Sequence, residues 1–249
     1  MEKKLVYVDI GTHIGQEYKA LFSYSILEFL FRFIKIFVAS FIFRKNKSNS
    51  VGLGEAIDII KFTKRIRRQK KNITTILVEP NTRLYGDQVY RSADKVFCMA
   101  LGDMEDDMYF SNLFFPNSDK VSQGASIFNT KEGIDLDESD SVVICGCVPF
   151  AEMLKESLDA ILGENNYEVV IRINCEGSED SGIYAFHKVF KNQFNVIFGS
   201  LKDVGELKGL SEMEALRTYI DKNNLKFVPF TPLYKTWKDA SREILDIIE

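Results

Sequence analysis

Short apolar runs recur along the chain, each closed by glycine or polar residues. Leu5–Ile10, Ile73–Val78, Lys95–Leu101, Glu168–Ile173 and Phe194–Gly199 are such runs, and Lys226–Phe230 adds a sixth. They are largely apolar and rich in β-branched residues, which predicts parallel strands covered on both faces. Between them the period lengthens to that of a helix. Phe150–Leu162 carries Met153, Leu154, Leu158, Ile161 and Leu162, and Ser178–Phe190 and Glu212–Lys222 repeat the spacing. Thr236–Ile248 puts Trp237, Ala240, Ile244, Leu245 and Ile248 on one side. Strands alternating with helices predict an α/β, doubly wound, mostly parallel sheet. From 104 to 148 the pattern breaks into short mixed pieces, which predicts hairpins or loops over one sheet edge. No internal repeat divides the chain, so residues 1–249 are read as one domain.

One stretch departs from this pattern. Residues 20–72 fall between the first two strands, where a single helix suffices, so they are read as a helical insertion. Leu21–Phe43 holds Phe22, Phe29, Phe31, Phe33, Phe37, Phe41 and Phe43, out of 20 Phe in 249 residues. Glu28, Arg32 and Lys35, with Ser25, make one polar stripe at helical spacing. Three charges argue against a membrane span, which needs about 20 mostly apolar residues. A second helix-like, basic stretch includes Lys61, Lys64, Arg65, Arg67, Arg68, Lys70 and Lys71.

Composition changes the picture only when it is divided. Overall, 45% hydrophobic and 27% charged residues exclude disorder and low complexity, and the net charge of −4 does not suggest a nucleic-acid partner. Yet residues 21–71 hold twelve Lys and Arg against three Asp and Glu, a net +9 that leaves −13 on the remainder. Packing on the sheet or on a second subunit, peripheral contact with a membrane, and docking of an anionic acceptor are the three readings of this insertion. The apolar run after Met1 is too short for a signal peptide. Four cysteines offer no disulfide framework, and Cys145-Gly-Cys147 lacks a second pair at zinc spacing, so two buried small side chains are expected there. An intracellular, cytoplasmic setting follows, with an inner membrane face as the peripheral variant.

In a doubly wound sheet, ligands bind at the carboxyl ends of the strands. The first of these ends reads Asp9-Ile10-Gly11-Thr12-His13-Ile14-Gly15. Its DxGxxxG spacing brings backbone close to a ligand, but it lacks the GxGxxG that seats a pyrophosphate. A tight strand-to-helix turn accounts for it equally well. Glu79, at the second strand end, can accept both hydroxyls of a ribose; a solvated loop acid or a helix N-terminal residue is the alternative.

Four segments together resemble a known family. VDIGTHIGQ, LVEPN, MALGD and VIRINCEGSE occur in the order seen in FkbM-type S-adenosylmethionine-dependent methyltransferases, over most of the chain outside residues 20–72. The resemblance implies a class I methyltransferase-like fold with a sheet of the seven-stranded type. It also implies S-adenosyl-L-methionine as cofactor, and transfer of its methyl group to a hydroxyl of a sugar, glycan or small natural product. Asp9, Gly11, Thr12 and Gly15 would then line the methionine end, and Glu79 would hold the ribose, with Pro80 and Asn81 shaping the turn. Ala100, Leu101 and Asp103 would flank the adenine. Asn174, Glu176 and Glu179 would stand at the acceptor mouth, with Glu176 as general base and His13 as the second candidate. His187, inside a helical pattern, is read as structural.

Two features depart from the family pattern. Arg172-Ile173-Asn174 stands where the family has Lys-Ile-Asp, and an amide is neither a base nor a good ligand for a hard cation, so no metal is expected. The chain also has almost nothing ahead of its first strand. A diverged, non-catalytic cofactor-binding scaffold with a basic Phe-rich docking arm is therefore the alternative. A nicotinamide oxidoreductase is disfavoured by the missing GxGxxG. The acceptor, small-molecule or glycan and lipid-linked if the arm contacts a membrane, is not named by these residues.

Overall fold

The computed structural model describes residues 4–23, 27–28, 30–31, 34, 53–103, 105, 107–116, 124–230 and 233–249. Strand β1 (Lys4–Ile10) passes through α1 (Gln16–Tyr18) and a π-helical turn (Lys19–Ser23). Next come α2 (Leu53–Arg68), β2 (Ile73–Val78), α3 (Gln88–Ser92), β3 (Lys95–Phe97) and β4 (Ala100–Leu101). A hairpin of β5 (Tyr109–Pro116) and β6 (Ile134–Cys145) leads into α4 (Cys147–Leu162) and β7 (Tyr167–Ile173). The chain closes with α5 (Glu179–Phe190), β8 (Phe194–Gly199), α6 (Lys202–Leu207), α7 (Leu210–Lys222), β9 (Lys226–Pro229) and α8 (Leu233–Ile248).

The main sheet runs β3-β2-β1-β7-β8-β9, and every pairing in it is parallel. Among the described residues it has six strands, against the seven-stranded type expected. Alternation along β1 builds both cores, because successive side chains point to opposite faces. Val6, Val8 and Ile10 pack with Phe150 and Leu154 of α4 and Phe186 of α5. Leu5 and Tyr7 pack with Tyr18, with Ile66 of α2 and with Ile244 and Leu245 of α8. Helix α4 starts earlier than its apolar spacing predicts. Gly146 caps it, and Pro149 lies in the first turn, where a missing N–H costs nothing.

The third apolar run is divided between two sheets. Lys95–Phe97 pairs with β2, whereas Ala100 and Leu101 pair with Ile144 and Cys145 of β6. The second sheet, β4-β6-β5, is the hairpin layer expected from residues 104–148. Arg83, after β2, ties it down: its guanidinium pairs with Asp140 at 2.9 Å and Glu138 at 3.1 Å and lies over the Phe115 ring.

The described part of the insertion is partly core. Helix α2 buries Ile59 against Ala20 and Trp237, and Ile66 on the Tyr7 face of the sheet. Arg65 pairs with Glu249 at the end of α8. Phe22 meets Tyr7 edge-to-face at 5.1 Å. The expected polar stripe residues Ser25, Arg32 and Lys35, and Phe29, Phe33, Phe37, Phe41 and Phe43, lie outside the described residues. No described helix is long and apolar enough to cross a membrane.

Candidate functional site

A cavity of about 330 Å³ opens at the carboxyl ends of β1, β2 and β7, where the strand order reverses about β1. Its floor is the turn after β1. Gly11 has φ +72°, and a Cβ there would lie 2.0 Å from the Asn174 carbonyl oxygen, so only glycine lets β1 and β7 close up. The Gly11 N–H donates to the Val78 carbonyl at 2.9 Å, and the Asn174 N–H to that of Ile10 at 3.0 Å. Thr12 Oγ1 turns back to the Asp9 carbonyl at 2.9 Å. At Gly15, φ +60°, a Cβ would meet Val89 of α3 at 2.7 Å.

Glu79 is buried on the wall of this cavity. Its Oε2 accepts the His13 N–H at 2.7 Å and its Oε1 the Asn81 N–H at 2.9 Å. Burial raises its pKa above the ordinary glutamate value, and the two backbone donors oppose that. Tyr90 donates to the His13 carbonyl and Tyr85 to the Glu79 carbonyl, the latter at 2.6 Å, and the two rings stack. The backbone around the carboxylate is therefore fixed on both sides.

Behind the turn lies a charged cluster that the sequence did not reveal. Asp9 is fully buried on the Tyr7 side of β1 and does not line the cavity. Arg172, directly across from it in β7, pairs with its Oδ1 at 3.2 Å and with Glu17 Oε2 at 3.2 Å, and donates to the Gly11 carbonyl. Burial lifts Asp9 to about 7 despite the guanidinium, with Glu17 and Glu79 adding to the rise. Burial alone would lower Arg172, but Asp9 and Glu17 outweigh it and keep the side chain protonated. Arg172 also reaches the cavity wall beside Phe230, whose ring lies 5.2 Å from its guanidinium carbon.

The mouth is made by the loop after β7 and by the hairpin loop. Glu176 has φ +60°, uncommon for a residue with a side chain. Glu179 holds the loop in place: buried at the start of α5, it accepts the N–H groups of Cys175, Glu176 and Gly177, each at 2.9 Å. Burial, its largest influence, raises this carboxyl to about 7, and the backbone donors oppose the rise. Glu179 therefore shapes the loop and does not stand at the mouth as expected. The Glu176 carboxylate does face the cavity, accepting the Asn174 side-chain amide at 3.2 Å and pairing with Lys131, which also lies 3.5 Å from Asp203. Ser126 Oγ donates to the Glu176 carbonyl at 3.0 Å and accepts the Phe128 N–H. The hairpin loop thus roofs the pocket.

Of the expected cofactor residues, Gly11, Thr12, Gly15, Glu79, Pro80, Ala100 and Leu101 line the cavity, together with His13, Asn174 and Glu176. Three do not. Asp9 lies behind the turn. Asn81 is buried, where its Oδ1 accepts the Arg83 N–H, and Asp103 is largely exposed with its carbonyl bonded to the Cys147 N–H. Met99, Leu113, Ser126, Arg172 and Phe230 join the wall without having been expected. Of these, Arg172 left a sequence signal, as a charge inside an apolar strand run. Cys145 and Cys147 are buried, with the Cys147 thiol bonded to the Gly102 carbonyl. Among the described residues no cluster of His, Cys, Asp and Glu is arranged to hold a metal ion. His187 bonds to Tyr219 at 2.6 Å, and burial lowers its pKa, in keeping with a structural role. Compared with protein-family models, curated proteins and solved structures, the chain has no match.

Proposed function

We propose that the chain is a class I, FkbM-type S-adenosyl-L-methionine-dependent methyltransferase that modifies a hydroxyl of a sugar, glycan or small natural product. The observation that carries this is Glu79, a buried carboxylate at the end of β2 facing a cavity beside a glycine turn. A carboxylate offers about four lone-pair sites. Backbone N–H groups of His13 and Asn81 take two, leaving two for the adjacent hydroxyls of a ribose. Its negative charge disfavours a phosphate, and the turn after β1 lacks the GxGxxG spacing that seats a pyrophosphate. Met99, Ala100 and Leu101 provide an apolar wall suited to a base.

In this assignment Gly11, Thr12 and Gly15 hold the amino-acid end and Glu79 the ribose. The bound cofactor supplies an activated sulfonium methyl group, so the protein has mainly to position an acceptor and accept its proton. Glu176 is the carboxylate at the mouth, oriented by Asn174 and by the Glu179-bound loop. Lys131 and the Asn174 amide take two of the Glu176 lone-pair sites, so the acceptor hydroxyl would either use a remaining site or replace the ammonium as its partner.

Calorimetric titration of the wild-type chain with S-adenosyl-L-methionine tests the assignment. Saturable binding is expected, weakened at least about tenfold by Glu79→Ala, since a charged hydrogen bond contributes about 1.5–3 kcal/mol. No binding by the wild type, or tighter binding of a nicotinamide dinucleotide, overturns it. The same Lys131–Glu176 pair favours a second reading, a cofactor-binding scaffold without transferase activity. Cofactor binding without S-adenosylhomocysteine formation across a panel of hydroxylated acceptors, unchanged by Lys131→Ala, would select it.

A further inference from the structure

The surface made by the insertion has a chemistry unlike the rest of the molecule. Leu27, Leu30, Phe31 and Ile34 are helical, spaced i, i+3, i+4 and i+7, and therefore share one face. That face is open to solvent: the four are 66%, 43%, 70% and 58% exposed. Burial lowers the pKa of Arg67 on α2, and the charge of Glu28, beside the stripe, is close enough to oppose that, so this stretch runs alongside α2. Helix α2 turns Ile59, Thr63 and Ile66 inward and presents Lys61, Lys64, Arg65 and Arg68 outward at the same helical spacing, with Lys71 continuing the line. Of these, Arg65 is tied to Glu249.

We infer that this face docks on an anionic lipid surface, the apolar stripe entering the headgroup boundary and the α2 cations meeting the lipid phosphates. Interfacial helices need these two elements together, an apolar face and adjacent basic side chains. The charge division favours a membrane over a second copy: residues 21–71 carry +9, and the −13 on the remainder is repelled by anionic lipid, which orients the molecule with the insertion inward. The inference does not rest on the methyltransferase assignment.

Co-sedimentation of the full chain with vesicles tests it, using phosphatidylcholine alone and phosphatidylcholine with phosphatidylserine. Binding to the anionic vesicles is expected at about 50 mM salt, falling at least tenfold by about 500 mM as the charges are screened. Lys61→Gln/Lys64→Gln/Arg68→Gln should weaken it on the order of a hundredfold, at about fivefold per surface cation. Leu27→Ser/Phe31→Ser should weaken it at least about tenfold through lost apolar burial. All five positions named are solvent-facing, so both variants should retain the wild-type circular dichroism and thermal midpoint. Absence of binding at low salt overturns the inference, as does equal, salt-insensitive binding to neutral vesicles. So does a dimer, seen by sedimentation velocity, that Leu27→Ser/Phe31→Ser dissociates, since a second copy would then be the occupant.

Discussion

Removing the Glu179 carboxylate tests whether the mouth of the pocket is built by that side chain. In Glu179→Ala, the N–H groups of Cys175, Glu176 and Gly177 lose an acceptor that each holds at 2.9 Å. An unsatisfied buried donor costs about 1–3 kcal/mol, so the gross loss is about 3–9 kcal/mol. Against this, a carboxyl lifted by burial from 4.5 to about 7 carries about 3 kcal/mol of ionisation cost at pH 8, which the variant no longer bears. Over most of that range the hydrogen bonds outweigh the relief, leaving a net destabilisation of about 0–6 kcal/mol with a mid-range value of about 3, a large share of the about 5–15 kcal/mol of a typical domain. Glu179→Gln separates the two effects. Its carbonyl oxygen can keep the Cys175 and Glu176 bonds that Oε1 accepts, only the Gly177 bond is lost, and the charge is gone. That variant should fall within about 1 kcal/mol of wild type. Urea unfolding at pH 8, compared at constant m-value, reads both. If alanine costs less than about 0.5 kcal/mol, or alanine and glutamine cost the same, the loop is not held by this carboxylate.

The Asp9–Arg172 pair gives two further expectations and the Gly11 turn a third. Because Asp9 is raised to about 7, the folded state binds its proton more tightly than the unfolded chain, so Asp9 makes stability fall as pH rises from about 4 to about 7; Asp9→Asn should flatten that slope in urea midpoints measured across the range. Arg172→Met strands Asp9 without its partner and should cost about 3–5 kcal/mol, while adding Asp9→Asn should recover part of it in a double-mutant cycle; strict additivity would mean the two do not interact. Gly11→Ala should lower the thermal midpoint by several degrees and abolish ligand binding, since its Cβ would overlap the Asn174 carbonyl, and an unchanged midpoint would refute the close approach of β1 and β7.

The parallel class of the strands and the location of the pocket at their carboxyl ends follow from features that are local in the chain. Apolar runs ending in glycine or acid mark strand ends, so Gly11, Gly15 and Glu79 are recognisable wherever a strand stops, and the cavity gathers all three. Asp9 belongs to the same motif, but its role depends on side-chain direction. It shares the Leu5 and Tyr7 face of β1 and therefore points away from the cavity, toward a partner 163 residues along the chain. Period-two alternation contains that direction; the register that sets Arg172 opposite Asp9 does not appear in any one segment.

The run Lys95–Leu101 is apolar throughout after Lys95, yet only the hairpin, by offering Ile144 and Cys145 to Ala100 and Leu101, divides it between two sheets. Likewise, Lys131 and Ser126 reach Glu176 across 45 and 50 residues because the hairpin loop folds over the mouth. By itself the sequence determined the elements, the parallel class of the sheet, the strand ends that border the pocket and the charge division between insertion and body, since each depends on local composition and period. Only the tertiary structure decided which charges are buried together and which carboxylate lines, braces or opens onto the pocket. Those depend on register and on contacts between distant segments, which exist only once the chain has closed on itself.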